Sequence, residues 1–172
     1  RAKAGPSLLS TTPASELTAE IVTKIFYETM DAEHVDIVSI SSVVNPGLSA
    51  AFAACDPDNK RKEHLFLHGT RYQYAAAIAK EGLDPGKGAL SPGVFLGGLA
   101  LKAHTYASKG PGPQDEDGKR RYTMFVVRAR PCLKSGDSER SFGVWRMLAK
   151  ERMQPVFLIE YAAPDWYGRR VV

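Results

Sequence analysis

The residues best equipped for chemistry lie between Leu65 and Tyr106. An apolar run, Leu65-Phe66-Leu67, leads straight into His68-Gly69-Thr70-Arg71. A neutral histidine offers one donor and one acceptor, glycine offers bare backbone, and threonine offers a hydroxyl. Gly93-Val94-Phe95-Leu96 and Tyr106 follow. Aromatics that flank a glycine-bounded slot can sandwich a flat ring. A glycine with a free N–H and C=O can hold a carboxamide by two hydrogen bonds, and His and Thr can hold ribose hydroxyls. The set suits the nicotinamide riboside half of NAD, bound without a dinucleotide fold. These residue types alone do not separate that site from core aromatics beside a capping histidine, a turn glycine and a turn threonine.

Other chemistries find little support. No GxGxxG follows a strand, and Walker A, HExxH and GxSxG are absent. None of His34, His64, His68 and His104 pairs with another at helical metal spacing. His64 and His68 share one face of a strand but stand about 13 Å apart, too far to share a metal. The expectation is a site without metal.

The elements that must position these residues read as follows. Residues 1–11 form a loose arm. Thr12-Pro13 or Ser15 starts a helix to about Met30, with Leu17, Ile21, Ile25 and Phe26 on one face. Val35 to Ile40 is a strand. Asn45-Pro46 caps a short helix carrying Leu48, Ala51, Phe52 and Cys55. After the strand at Leu65, a helix from about Tyr74 ends at Gly82. Asp84 to Pro92 is a loop, Gly93 to Leu96 a strand, and Leu99 to Ser108 a helix. Tyr122 to Arg130, Ser141 to Trp145 and Val156 to Tyr161 are strands, with a loop from Pro131 to Arg140. Residues 162–172 form a tail. Early helices and late strands predict one α+β domain over 12–161.

Composition bounds the partners. The chain has 172 residues, a formal charge of +4 and 24% charged residues. Its basic clusters, Lys60-Arg61-Lys62 and Lys119-Arg120-Arg121, have no interleaved aromatics, so they read as solvated surface rather than a nucleic-acid stripe. Cys55 and Cys132 are lone thiols, which suits a reducing compartment, cytoplasmic or nuclear. No apolar run approaches a membrane span.

The central stretch resembles the catalytic domain of PARP-type ADP-ribosyltransferases, whose fold is shared with diphtheria toxin. His68-Gly69-Thr70-Arg71 is similar to the family's H-G-[ST]-x, with Ile78 and Gly82-Leu83 at its spacing. Gly93-Val94-Phe95-Leu96 stands where the family has G-[IVT]-Y-F, and Lys102 and Tyr106 match its K-x-x-x-Y. Val43 to Leu48 resembles the I-x-N-P-x-L segment of the mono-ADP-ribosylating branch, and Pro155 to Ile159 its late P-x-[YF]-L-I strand. The resemblance covers about Val35 to Tyr161. It implies two packed, mostly antiparallel sheets with short flanking helices.

It also implies roles. His68 would bond the nicotinamide-side ribose, Gly69 would clamp the carboxamide, and Thr70 would contact the adenosine-side ribose with Arg71 beside it. Tyr106 would stack on the nicotinamide ring. The implied activity is NAD-dependent mono-ADP-ribosyl transfer with nicotinamide release. Protein side chains are the expected acceptor, and a nucleic-acid acceptor stays open. Two departures bear on activity. Phe95 replaces the usual second-position Tyr. The third position, a Glu in polymer-forming relatives, falls on Ser141 or, without a gap, on Val144. The implied catalytic trio is therefore His68, Phe95 and Ser141. A non-catalytic NAD or ADP-ribose-binding domain is the alternative, and an NAD-dependent RNA 2′-phosphotransferase is a more distant one.

Overall fold

The computed structural model describes residues 7–58, 60–87, 92–132, 136, 138–141 and 143–169, and only the backbone of Ser10, Glu139 and Ser141. Over these residues the chain forms helices α1 (Leu8–Thr11), α2 (Ala19–Tyr27), α3 (Pro46–Ala54), α4 (Ala75–Glu81) and α5 (Ala100–Ala107). Its strands are β1 (Asp36–Ser42), β2 (His64–Thr70), β3 (Val94–Leu96), β4 (Arg120–Ala129), β5 (Ser138–Ser141), β6 (Val144–Met147) and β7 (Met153–Ala163). The α+β class expected from the order of the elements holds.

The strands make two antiparallel sheets, β1-β7-β4-β2 and β3-β6-β5. The larger sheet is apolar on both faces. One face carries Leu65, Leu67, Met124, Val126, Ile159 and Tyr161, packed under α1, α2 and α5. The other carries Phe66, Phe125 and Val127, packed against Val94, Leu96 and Met147 of the smaller sheet. A strand buried on both faces reads as a continuous apolar run, which is how Leu65-Phe66-Leu67 appears in the sequence.

Local signals explain several boundaries. Asn45 Oδ1 accepts the Leu48 N–H at 3.2 Å, so α3 starts at the predicted cap. The Asn45 amide also donates to the Lys80 carbonyl at 2.7 Å, joining α3 to the end of α4. Gly82 ends α4 at φ 85°.

Four expectations change. The single early helix divides: a 3-10 turn covers Ala14–Glu16, Leu17 is extended, and the Thr18 hydroxyl caps α2 by accepting the Ile21 N–H. The loose arm is structured from Ser7 onward, because α1 buries Leu9 and the Ser7 hydroxyl donates to the Gly98 carbonyl at 2.9 Å. The strand expected over Ser141–Trp145 is two strands, β5 and β6, separated by Gly143 at φ 76°. Glu139, expected on the preceding loop, thus lies on β5. The tail is anchored over Pro164–Arg169, where buried Tyr167 accepts the Asp31 N–H through its hydroxyl at 2.6 Å.

Candidate functional site

The site is built on a strand edge that stops pairing. The inner side of β2 pairs with β4 from His64↔Ala129 to Thr70↔Thr123. On its outer side one bridge forms: Leu67 N–H donates to the Gly97 carbonyl at 2.7 Å, and Gly97 N–H returns to the Leu67 carbonyl at 3.0 Å. Strand alternation turns the N–H and C=O of Gly69 to the same outer side as those of Leu67. A ladder continued from that bridge would pair Gly69 with Phe95. It does not continue. His68 Nδ1 lies 2.9 Å from the Phe95 carbonyl and takes its place. Both polar groups of Gly69 therefore face the wedge between β2 and β3. Among the described residues they have no partner there.

That contact assigns the histidine's proton. A carbonyl can only accept, so Nδ1 carries the hydrogen. Burial pushes the His68 pKa down, opposed by its bond to Phe95, so the ring is neutral near pH 7. Neutral imidazole protonated at Nδ1 keeps a lone pair on Nε2. His68 is thus an acceptor for a hydroxyl rather than a cation for a phosphate.

Gly69 has a second reason to be glycine. A Cβ there would lie 1.8 Å from the Ala103 carbonyl oxygen and 3.1 Å from Ala107 N. The backbone of α5 rests directly on β2 at this point, which fixes where α5 carries Tyr106. Gly69 is neither a turn residue nor left-handed; it is a strand residue with a helix pressed on its face.

Tyr106 faces Phe95 with ring centroids 6.1 Å apart and planes 11° from parallel. The two aromatics that the sequence singles out thus face each other directly. A third flat ring between them needs about 7 Å, twice the usual carbon–carbon contact distance. The pair must spread by nearly an ångström, or receive the ring offset. Lys109 Nζ lies 5.2 Å from the Tyr106 centroid.

The remaining predicted residues are nearby but differently placed. Thr70 is buried on the same face of β2 as His68, and its carbonyl accepts the Thr123 hydroxyl at 3.3 Å. Arg71 is exposed, with its stem against Gly110. Val144 is next to Trp145, which pairs with Leu96, so the register sets Val144 opposite Gly97. Ser141 pairs with Val144 from β5, one strand farther out, and its side chain lies outside the described residues. Neither position supplies a carboxylate.

A polar network at this end of the sheet was not foreseen. Glu160 sits on β7, two strands in from Thr70 through Thr123. It accepts from Arg121 at 3.2 Å and from the Tyr72 hydroxyl at 3.4 Å, while Arg121 Nε also donates to Asp115 at 2.9 Å. Glu160 is committed to these partners. Only the register of three strands brings them together, and no spacing in the chain announces it.

Other features lie elsewhere. A cavity of about 230 Å³, lined by Leu9, Thr12, Pro13, Glu63, His64 and Leu65, sits at the opposite end of β2. Asp31, Glu33 and His34, which could bring ligand atoms within 4.8 Å of one another, lie on the α2–β1 connection. His104 is fully buried under Tyr122, Tyr161 and Tyr167.

No protein-family model matches the chain, and no curated protein matches it. The functional reading therefore rests on the geometry and on the motif resemblance.

Proposed function

We propose that this domain is an NAD-dependent mono-ADP-ribosyltransferase of the ADP-ribosyltransferase fold. The observation that carries the reading is the arrested β2–β3 pairing. It leaves the Gly69 N–H and C=O side by side, next to the parallel Phe95 and Tyr106 rings and the acceptor nitrogen of His68. A nicotinamide carboxamide has the complementary pair, one acceptor and one donor group. The ring enters between the aromatics, and a ribose hydroxyl donates to His68 Nε2.

In the reaction the bond from the ribose anomeric carbon to the nicotinamide nitrogen breaks. Nicotinamide leaves with the electron pair, and positive charge develops on the ribose. The acceptor nucleophile then bonds to the anomeric carbon and releases its proton to solvent or to a carboxylate of its own. Holding the carboxamide and a ribose hydroxyl fixes the bond to be broken, and positioning of this kind supplies much of a transfer enzyme's advantage. No carboxylate comes from Val144 or Ser141, and Glu160 is held by Arg121 and Tyr72. Activation of an incoming ribose hydroxyl for chain growth then lacks its base. The reading is transfer of single units.

Incubation with NAD labelled in the adenylate, with nicotinamide quantified, tests this. Expected are one-to-one nicotinamide release and label incorporation, both abolished by His68→Ala. Unchanged activity in that variant would overturn the assignment. The alternative, a non-catalytic NAD or ADP-ribose-binding domain, is favoured by Phe95, which stacks but has no hydroxyl. Saturable NAD binding with no nicotinamide release would select it.

A further inference from the structure

The outer edge of β2 is open on both sides of its bridge to Gly97. Strand alternation turns the N–H and C=O of Leu65 outward, as it turns those of Leu67 and Gly69. A ladder continued toward the start of β2 would bring Leu99 opposite Leu65. It stops because Leu99 caps α5 and gives its carbonyl to the Ala103 N–H at 3.1 Å. Leu65 is 5% exposed, and among the described residues neither its N–H nor its C=O has a partner. Backbone groups of a buried strand are costly to leave unbonded, so a polar partner is expected at this edge.

Leu65 also lines the cavity of about 230 Å³, with Glu63 and His64 before it and Leu9 and Thr12-Pro13-Ala14 across from it. That facing wall is fixed. Leu9 is buried in one apolar cluster with Leu65 and Leu67, and the Ser7 hydroxyl ties the start of α1 to the Gly98 carbonyl at 2.9 Å. The Thr12 hydroxyl donates to the Leu8 carbonyl at 3.0 Å, so its oxygen can still accept. Glu63 is the charged group of the lining, and its two oxygens accept from Arg128 at 2.7 and 3.0 Å. Burial, with Lys62 nearby, lowers the His64 pKa, so that ring is neutral near pH 7.

A donor and an acceptor side by side on a strand edge match one residue of extended backbone, which offers its own C=O and N–H at the same spacing. The volume suits one such residue with a compact apolar side chain, and is below that of a drug-sized pocket. The apolar wall and the already paired carboxylate favour an uncharged one. We propose that this cavity docks one uncharged apolar residue of an extended peptide segment, added as a short strand to Leu65. The pocket lies at the opposite end of β2 from the Gly69 slot and stands whatever that slot binds.

Titration of N-acetyl-leucine N-methylamide into the whole isotope-labelled chain, followed by backbone amide resonances, tests this. Two hydrogen bonds and one buried side chain give an expected Kd of about 1 mM. Saturable shifts are expected at Leu65 and Ala14, and not at Gly69. Methylating the leucine nitrogen removes the donor to the Leu65 carbonyl and should weaken binding about tenfold. The aspartate analogue carries a charge into the pocket and should weaken it by about the same factor. Ala14→Phe fills the cavity from its wall and should abolish the shifts. Equal binding of the N-methylated analogue overturns the proposal without any change to the protein. So do shifts that persist in Ala14→Phe, shifts confined to other parts of the chain, or no saturable shift at concentrations well above the expected Kd.

Discussion

Replacing Gly69 by alanine tests the contact on which the slot geometry depends. The new Cβ would meet the Ala103 carbonyl oxygen at 1.8 Å, about 1.6 Å inside the 3.4 Å where ordinary contact begins. The obstacle is helix backbone, not the free end of a side chain, so it cannot turn aside. Either α5 lifts or β2 bows, and α5 is itself sealed by Ala100, Ala103 and Ala107 in the core. Overpacking of this kind costs about 1–3 kcal/mol, and the depth of this overlap points to the upper end. For a chain of this size that lowers Tm by roughly 4–10 °C. The displacement also carries Tyr106 away from Phe95, so binding of an NAD analogue should fall more than tenfold. Gly97→Ala is the matched control. Its Cβ would meet Lys102 Cγ at 3.7 Å, which is ordinary contact, so stability should change little. Thermal unfolding of both variants, with analogue titration on the folded protein, reads the outcome. Equal Tm values for wild type and Gly69→Ala would refute the packing of α5 on β2.

Further expectations follow from the same contacts. Burial lowers the pKa of His68 and of His104, so each stays neutral when folded while the unfolded chain takes up protons below about pH 6.5. Stability should be flat above that pH and should fall below it, by up to about 1.4 kcal/mol per pH unit for each histidine until its lowered folded pKa is reached. A midpoint in urea that rises on acidification would contradict this. The Tyr167 carbonyl near His104 Nε2 assigns the proton there, so Nδ1 accepts from the Tyr161 hydroxyl at 2.7 Å; Tyr161→Phe should therefore cost about 1–3 kcal/mol in denaturant unfolding. Tyr106→Ala removes one stacking surface, worth about 0.5–1.5 kcal/mol for an aromatic pair, and should weaken NAD binding about twofold to tenfold in calorimetry. Val144→Glu sets a carboxylate opposite Gly97 and should turn single additions into short chains on a gel, whereas Ser141→Glu, one strand farther out, should not.

How much of this was legible depended on how local the cause was. The caps at Asn45 and Gly82 act within one turn of chain, and α3 and α4 lie where the residues indicate. Leu65 to Thr70 was visible as a buried strand ending in polar groups, because burial on both faces leaves an unbroken apolar run. The reason for Gly69 was only half visible. A glycine beside a histidine suggests exposed backbone, but the pressure of α5 thirty-odd positions later has no trace at that point in the chain. The β5–β6 hairpin was hidden because a run of strand-forming residues gives no sign that Gly143 turns left-handed. Glu160 could be placed on a late strand, yet its capture by Arg121 and Tyr72 depends on the register of β2, β4 and β7 together. Leu9 and Tyr167 read as parts of loose ends, because single apolar residues near termini carry no periodicity. Each finds a pocket supplied by distant strands and helices.

The most direct measurement is a crystal structure with a non-hydrolysable NAD analogue. The account predicts the carboxamide within about 3 Å of both Gly69 N and Gly69 O, the usual hydrogen-bond distance. It also predicts a ribose hydroxyl on His68 Nε2 and the Phe95 and Tyr106 centroids spread from 6.1 Å to accept the ring. An analogue bound elsewhere, or Gly69 found paired with Phe95 in a continued ladder, would contradict it.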